Sequence, residues 1–184
     1  MEDGDHALVT RAAGGDRAAF GRLMRRWQHC VYRIARRWTG DAAEAEDITQ
    51  TVFASFWTAL QAGRIPRNVG AFLRRSTLNA CRDWARRRSV RTFFFRAEPI
   101  EDHEHRLTAP HAGSDDGPPD RRLDELDRAI AALPEGLKGP LILCCLDGLS
   151  QREAGALLGL SAKAIENRVA RARQHLKAIL DPAL

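Results

Sequence analysis

The stretch SQREAGALLGLSAKAIENRVARARQHL, residues 150–176, contains the signals that decide the fold. Ser150 and Glu153 have the spacing of a capping box, which predicts that a helix begins here. Gly159 ends that short helix, and a longer basic helix follows after a turn of three or four residues. The agreement of these signals favours a helix-turn-helix, whose second helix enters the major groove of DNA, over a plain amphipathic helix in a small bundle.

The second helix of this motif has an apolar face and a polar face. Ile165, Val169, Ala172 and Leu176 recur at helical spacing, so we expect them to face the core. At 100° per residue, the centre of the opposite face consists of Lys163, Asn167, Ala170 and Gln174, and its edges consist of Glu166, Arg171 and Arg173. Lys and Arg neutralise phosphates, whereas Asn, Gln, Arg and Glu can pair with base edges. The polar face is therefore a candidate DNA-reading surface.

The rest of the chain also has helical periodicity, and we find no β-type alternation long enough for a strand. The predicted fold class is all-α. Asp16, Asp41 and Asn68 are predicted N-caps of three helices, the last of which runs to about Arg87. We expect these three helices to form one N-terminal domain, residues 1–96.

A compositional break separates this domain from the helix-turn-helix. Residues 97–119 contain four prolines, two glycines and many charges, which predicts a flexible linker. Helices resume at Asp120, so the second small domain covers residues 120–184. We expect two helical domains joined by this linker.

Two helices of the N-terminal domain have polar faces opposite their apolar ones. On the second predicted helix, this face consists of Asp47, Gln50, Thr51 and Ala54. On the third, a cationic stripe one helix-face wide consists of Arg75, Asn79, Arg82 and Arg86. A basic stripe of this kind suits a nucleic-acid backbone, although a merely solvated face is the alternative.

The bulk composition excludes several classes of protein. The net charge is +5 with a pI of about 9.5, a mild bias toward polyanions. The four cysteines, Cys30, Cys81, Cys144 and Cys145, match no zinc spacing, so we expect no metal and no cofactor. No convergent carboxylate pair, phosphate loop or Ser-His-Asp set indicates an enzyme with catalytic residues. We expect a cytoplasmic protein without direct membrane insertion, since no secretory signal or long apolar run is present.

Three segments resemble the extracytoplasmic-function (ECF) sigma factors of the sigma-70 family. Residues 47–57 are similar to the D-x-x-Q-x-x-F-x-x-x-W signature of the polymerase-binding helix, with Asp47, Gln50, Phe53 and Trp57 at the matching positions. The stretch FLRRSTLNACRDWARRR, residues 72–88, is similar to the segment that reads the minus-10 element. Residues 132–176 resemble the domain that reads the minus-35 element. The resemblance covers nearly the whole chain except the linker.

The resemblance implies a transcription initiation factor that binds core RNA polymerase, recognises both promoter elements and assists melting. Its polymerase contacts would be the clamp helices of the largest subunit and the flap of the second-largest. It implies core-polymerase binding by Asp47, Gln50, Thr51 and Ala54. It implies minus-10 binding by Arg64, Asn68, Arg75, Asn79, Arg82, Arg86 and Arg87, with residues 63–68 holding a flipped base. It implies minus-35 binding by Ser150, Lys163, Glu166, Asn167, Arg168, Ala170, Arg171 and Gln174. An anti-sigma factor is a further implied partner.

Two departures from the family pattern concern promoter sequence. Residues 63–68 contain no aromatic side chain, so base capture would rely on polar contacts rather than stacking. Glu166 stands where several relatives have a basic residue. The alternatives to a sigma factor are a sigma-like decoy that binds an anti-sigma protein and a stand-alone helix-turn-helix regulator. The linker is either a passive tether or an acidic mimic of nucleic acid.

Overall fold

A computed structural model describes the backbone of residues 3–95 and 121–180, and the side chains of residues 4–90 and 125–180. The predicted linker, residues 97–119, lies outside these ranges. The described residues contain helices and turns and no strand, which confirms the all-α fold class. The helices are α1 (Asp3–Ala13), α2 (Arg17–Thr39), α3 (Ala42–Gln61), α4 (Val69–Phe95), α5 (Arg121–Ala132), α6 (Glu135–Leu141), α7 (Gln151–Leu158) and α8 (Ala162–Leu180), with a π-helical turn at Ile142–Leu146.

The predicted N-caps of the N-terminal helices are confirmed. The Asp16 carboxylate accepts a hydrogen bond of 2.9 Å from the backbone of Ala19, and Asp41 accepts one of 3.0 Å from Glu44. The side chain of Asn68 accepts a bond of 2.7 Å from the backbone N–H of Ala71. Each cap satisfies a backbone donor that the first turn of a helix leaves unpaired.

The N-terminal helix α1 was not predicted. It is short and contains few large apolar residues, so its stability depends on packing rather than on intrinsic propensity. Val9 and Ala12 are fully buried, and the Asp5 carboxylate accepts a hydrogen bond of 3.0 Å from Trp27 Nε1 on α2. The side-chain amide of Gln61 donates 2.9 Å to the carbonyl of Ala12. The N-terminal domain therefore has four helices instead of three.

Helix α4 is longer than predicted. We expected it to end near Arg87, but it continues to Phe95. No Gly or Pro occurs between Gly70 and Phe95, and arginine is a good helix former, so nothing in residues 88–95 ends the helix.

The two domains pack against each other in this structure. Helix α2 contacts α5, and α4 contacts α7. Gly40 ends α2 with φ of 73°, and a Cβ at this glycine would lie 2.9 Å from Ala131 of α5. The buried core is continuous from Phe56 and Leu73 of the first domain to Leu143 and Ile165 of the second. None of the described helices is long and apolar enough to span a bilayer.

Candidate polymerase and promoter interfaces

Helix α3 presents a polar face to solvent. Ile48, Val52 and Phe56 are buried against the neighbouring helices, which fixes the rotation of α3 about its axis. As a consequence, all four predicted polymerase-binding positions are exposed: Asp47, Gln50, Thr51 and Ala54. A polar exposed face of this kind is suited to a transient protein–protein interface.

Helix α4 presents the predicted cationic stripe. Leu73, Leu78 and Cys81 are buried on the opposite side, and burial raises the pKa of the Cys81 thiol to about 12. Four of the predicted minus-10 residues are exposed on α4: Arg75, Asn79, Arg86 and Arg87. The fifth, Arg82, is half-buried.

Two contacts within the stripe limit how its side chains can move. Arg82 Nη1 donates a hydrogen bond of 3.2 Å to the side-chain oxygen of Asn79. Arg86 forms an ion pair with Asp83 one turn away. Asn79 is therefore held by an arginine while its amide N–H groups remain available to a ligand.

The loop between α3 and α4 contains the other two predicted minus-10 residues. Arg64 is exposed, and Asn68 uses its side-chain oxygen to cap α4. Gly63 has φ of 74°, a conformation that favours glycine, and turns the chain out of α3. Ile65 is 44% exposed, which leaves an apolar side chain at the surface beside these polar ones.

The helix-turn-helix has the predicted capping box and glycine turn. Ser150 and Glu153 cap each other's backbone N–H groups, and the hydrogen bonds from Ser150 lower the pKa of Glu153. Gly159 ends α7 with φ of 68°. A Cβ at Gly155 would lie 2.5 Å from the carbonyl oxygen of Leu160, so the turn approaches α7 too closely for a larger residue.

Helix α8 exposes most of the predicted DNA-reading face. Ile165, Val169 and Ala172 are buried. The exposed predicted residues are Lys163, Glu166, Asn167, Ala170, Arg171 and Gln174. Lys163 and Glu166 form an ion pair of 3.0 Å, so part of the cationic charge on this face is already compensated. Ser150, at the start of α7, is exposed as well.

Arg168 lies away from the exposed centre of this face. It is half-buried, and its Nη1 is 3.5 Å from the carbonyl oxygen of Gly136. Arg168 and Arg82 line one cleft of about 330 Å³ together with Glu135, whose carboxylate is 3.9 Å from Arg82. Residues predicted to contact the two different promoter elements thus lie side by side.

Sequence reasoning missed two clusters between the domains, in each of which one aspartate contacts two arginines. Asp147 contacts Arg33 and Arg74, and Asp127 contacts Arg36 and Arg37. These pairings join residues far apart in the chain, so no local pattern signals them. Cys30 also contacts Asp147, and burial, reinforced by that carboxylate, raises the pKa of its thiol to about 11. Among the described side chains, no three metal-ligating residues come together.

Comparison with known proteins matches two family models to these two helical units. The model of sigma-70 region 2 matches residues 23–91, and that of sigma-70 region 4 matches residues 123–176. The RNA polymerase sigma factor CnrH of Cupriavidus metallidurans is 37% identical over 185 residues, covering 98% of this chain and 96% of CnrH. The ECF RNA polymerase sigma factor SigE of Mycolicibacterium smegmatis is 33% identical, covering 90% of this chain and 64% of SigE.

A solved sigma factor structure has the same fold as this chain. CnrH in complex with the cytosolic domain of CnrY superimposes with a TM-score of 0.68 and 30% identity, covering 98% of this chain and 99% of CnrH. The fold and the two family matches define a two-domain helical transcription initiation factor that binds core RNA polymerase and promoter DNA. The chain belongs to the sigma-70 family and, within it, to the ECF sigma factors.

Proposed function

We propose that the exposed face of α3 binds the clamp helices of the largest polymerase subunit, while α4 and α8 read the minus-10 and minus-35 elements. The supporting observation is that each helix buries its apolar residues and exposes most of the residues that the family resemblance assigns to that partner, with Arg82 and Arg168 half-buried. In this proposal, residues 1–96 and 120–184 are the two functional domains and 97–119 is the linker between them.

On α4, each polar residue type has its own role. Arg75, Arg86 and Arg87 neutralise phosphates of the promoter strand, a contact that does not depend on sequence. Asn79 reads a base, because an amide both donates and accepts hydrogen bonds. Residues 63–68 hold an unstacked base, and binding that prefers the open strand shifts the equilibrium toward melted DNA without ATP.

On α8, the outer face enters the major groove of the minus-35 element. Asn167, Arg171 and Gln174 are the base-reading candidates, and Lys163 contacts phosphate. Glu166 pairs with Lys163 at 3.0 Å, which weakens the phosphate contribution at that position. The second polymerase contact, with the flap of the second-largest subunit, belongs to the same C-terminal domain.

A protein inhibitor is part of the proposed cycle. CnrH was solved with the cytosolic domain of CnrY, and this chain aligns with almost all of that CnrH chain. We infer that an anti-sigma factor holds this sigma factor until a signal releases it. The protein acts in the cytoplasm, where polymerase and DNA are, and acts by binding rather than by catalysis.

Run-off transcription tests the proposal. Purified core polymerase is assayed with and without this protein on a pool of promoter fragments. We expect specific transcripts that are lost with Asn79→Ala or Arg171→Ala and retained with Arg22→Ala, an exposed arginine of α2 outside the proposed interfaces. Absence of both transcripts and polymerase binding would refute the proposal in favour of a decoy or a stand-alone regulator.

A further inference from the structure

The C-terminal domain contains an open cleft of about 350 Å³ between the π-helical turn, the start of α7 and one side of α8. Both thiols of the turn, Cys144 and Cys145, line this cleft. Ile142 and Leu143 are buried and fix the turn, so that Cys144 is half-buried and Cys145 is exposed. Turns of this kind are rare and occur frequently at functional sites. An exposed thiol is therefore held at a defined place beside the helix-turn-helix.

A guanidinium meets the exposed thiol across the cleft. Arg173 Nη2 of α8 donates a hydrogen bond of 3.3 Å to Cys145 Sγ. Reactive cysteines occur in partly exposed, electropositive surroundings, where a nearby cation stabilises the negative charge of the attacking sulfur. Glu166 also lines the cleft, but its carboxylate is paired with Lys163 at 3.0 Å. The surroundings of Cys145 therefore match those of a reactive thiol.

The other three cysteines of the chain lack these surroundings. Burial raises the pKa of the Cys30 thiol to about 11 and that of the Cys81 thiol to about 12. Burial also raises the pKa of Cys144, and the neighbouring Cys145 adds to this effect. Because the thiolate is the nucleophile, these three thiols react poorly at neutral pH. Exposure and charge together thus favour reaction at Cys145.

The cleft adjoins the proposed minus-35 surface. Three residues assigned to that surface, Ser150, Glu166 and Ala170, line it together with Cys145. A substituent on the Cys145 sulfur would therefore lie between the start of α7 and the outer face of α8. A bulky group there occupies space that the wall of the major groove needs, and a negatively charged group repels the DNA phosphates.

We propose that Cys145 is a modification site, at which the thiol exchanges with an anionic low-molecular-weight disulfide and the resulting adduct blocks minus-35 binding. The blocking effect rests on the proposed function of α8, whereas the thiol site rests only on the cleft and its contacts. Arg173 selects an anionic reagent, because a guanidinium has five N–H donors and can bind a carboxylate of the incoming molecule while it contacts the sulfur.

The exchange needs no further oxidant. The Cys145 thiol gives its proton to solvent, and its sulfur attacks one sulfur of the small disulfide. A new S–S bond forms as the S–S bond of the reagent breaks, and the departing sulfur leaves with the electron pair and then takes up a proton. The chain then carries a mixed disulfide, and a small thiol reverses the reaction by the same route.

Mass spectrometry of the full-length chain after exposure to glutathione disulfide tests the site. We expect a single glutathionyl adduct, which is absent from Cys145→Ser and retained in Cys144→Ser. Circular dichroism should show wild-type helix content for both variants, since neither position is fully buried. A folded wild type that takes up no adduct, or an adduct that forms as fast in Cys145→Ser, would overturn the proposal.

The rate of adduct formation tests the role of Arg173. Arg173→Gln should slow the reaction with glutathione disulfide about fivefold, because a charge close to the sulfur is lost. The matched control is Arg128→Gln, an exposed arginine of α5 in the same domain, which should react at the wild-type rate. With cystamine, a cationic disulfide, Arg173→Gln should react no more slowly than wild type. Equal slowing by both arginine variants, or equal slowing with both reagents, would overturn selection of an anionic reagent.

Promoter binding tests the blocking effect. The chain that carries the adduct is freed of reagent, combined with core polymerase and titrated with promoter fragments. We expect an affinity at least about tenfold lower than that of untreated holoenzyme, with full recovery after a reductant removes the adduct. Cys145→Ser exposed to the same reagent should bind as untreated wild type does. Unchanged affinity of the modified holoenzyme would overturn the block. If untreated holoenzyme bound no promoter while the adduct still formed at Cys145, the thiol site would stand and the proposed function would fail.

Discussion

Trp84 of α4 donates a hydrogen bond of 2.6 Å from its indole Nε1 to the carboxylate of Glu44 in the first turn of α3. The backbone N–H of Glu44 is itself bonded to the Asp41 cap, at 3.0 Å. These contacts fix the helix that carries the proposed minus-10 surface against the helix that carries the proposed polymerase surface. This half-buried polar pair therefore helps to fix the relative orientation of the two surfaces.

Removing either partner of this pair should destabilise the protein. We expect Trp84→Phe and Glu44→Ala each to lower the free energy of unfolding by about 1–2 kcal/mol, since a half-buried polar group loses its partner. The double variant should cost little more than the larger single change. Urea denaturation measures the free energy of unfolding of each variant. The control is Glu46→Ala, at an exposed position, whose free energy of unfolding should lie within about 0.5 kcal/mol of wild type. Fully additive losses would show that the two side chains act independently.

Substitutions on the polymerase surface of α3 should weaken polymerase binding without changing the free energy of unfolding. Asp47→Asn and Gln50→Ala are expected to weaken binding to core polymerase about tenfold, the effect of losing about 1.4 kcal/mol at an interface. Because both side chains are exposed, the free energy of unfolding should not change. The neighbouring Glu46→Gln serves as the charge-matched control in a fluorescence binding assay. Equal weakening by Glu46→Gln would mean that overall charge, not this face, directs binding.

The α4 stripe should contain two kinds of DNA contact. Arg75→Ala should weaken binding of all promoter sequences and lower the slope of log affinity against log salt by about 1, because one phosphate contact is lost. Asn79→Ala should relax discrimination at one minus-10 base, at a cost of about 1–3 kcal/mol. Salt titrations of holoenzyme with open-strand promoter fragments distinguish the two. If Asn79→Ala affected every sequence alike, it would be a backbone contact instead.

The Lys163–Glu166 pair on α8 should restrain DNA binding. Glu166→Gln removes the carboxylate from the 3.0 Å ion pair and releases the lysine to phosphate. Affinity for a minus-35 duplex should rise by about two- to fivefold at low salt and less at high salt, as for an exposed ion pair. Glu125→Gln, which removes the same charge from α5, is the control. An unchanged or lower affinity would indicate that Glu166 itself accepts a hydrogen bond from a base.

The capping box of α7 should make stability depend on pH. Ser150 lowers the pKa of Glu153 by hydrogen bonding, so the charged carboxylate stabilises the fold above the ordinary glutamate pKa of about 4.3. This stabilisation should disappear as the pH falls through the lowered folded-state pKa. We expect the difference in free energy of unfolding between wild type and Glu153→Gln to be constant near neutral pH and to vanish in acid.

The Ser150→Ala variant checks the cause of that pH dependence. Loss of this N-cap should cost about 1 kcal/mol at neutral pH. In the Ser150→Ala background, Glu153→Gln should then have a smaller effect, because the main hydrogen bond to the carboxylate is gone. Urea denaturation at a series of pH values measures both variants. An undiminished effect would assign the stabilisation to the helix dipole instead.

Local signals in the sequence determined where most of the helices begin and end and which faces they expose. Caps such as Asp16, Asp41 and Ser150, the glycine turn at Gly159 and the helical spacing of apolar residues predict elements and faces, because each depends on neighbours within about one turn. Family-specific spacing in residues 47–57 indicated the class of protein. The exposed faces of α3, α4 and α8 followed from which residues were apolar.

Tertiary structure alone decided how these pieces meet. Helix α1 is held by packing and by the hydrogen bond that its Asp5 carboxylate accepts from Trp27 of α2, and its own sequence does not identify it as a helix. Asp147 lies 114 residues from Arg33 and 73 from Arg74, yet both arginines contact its buried carboxylate. Charge patterns along a chain do not report such pairings, since each requires two folded domains to bring distant side chains together and exclude water between them.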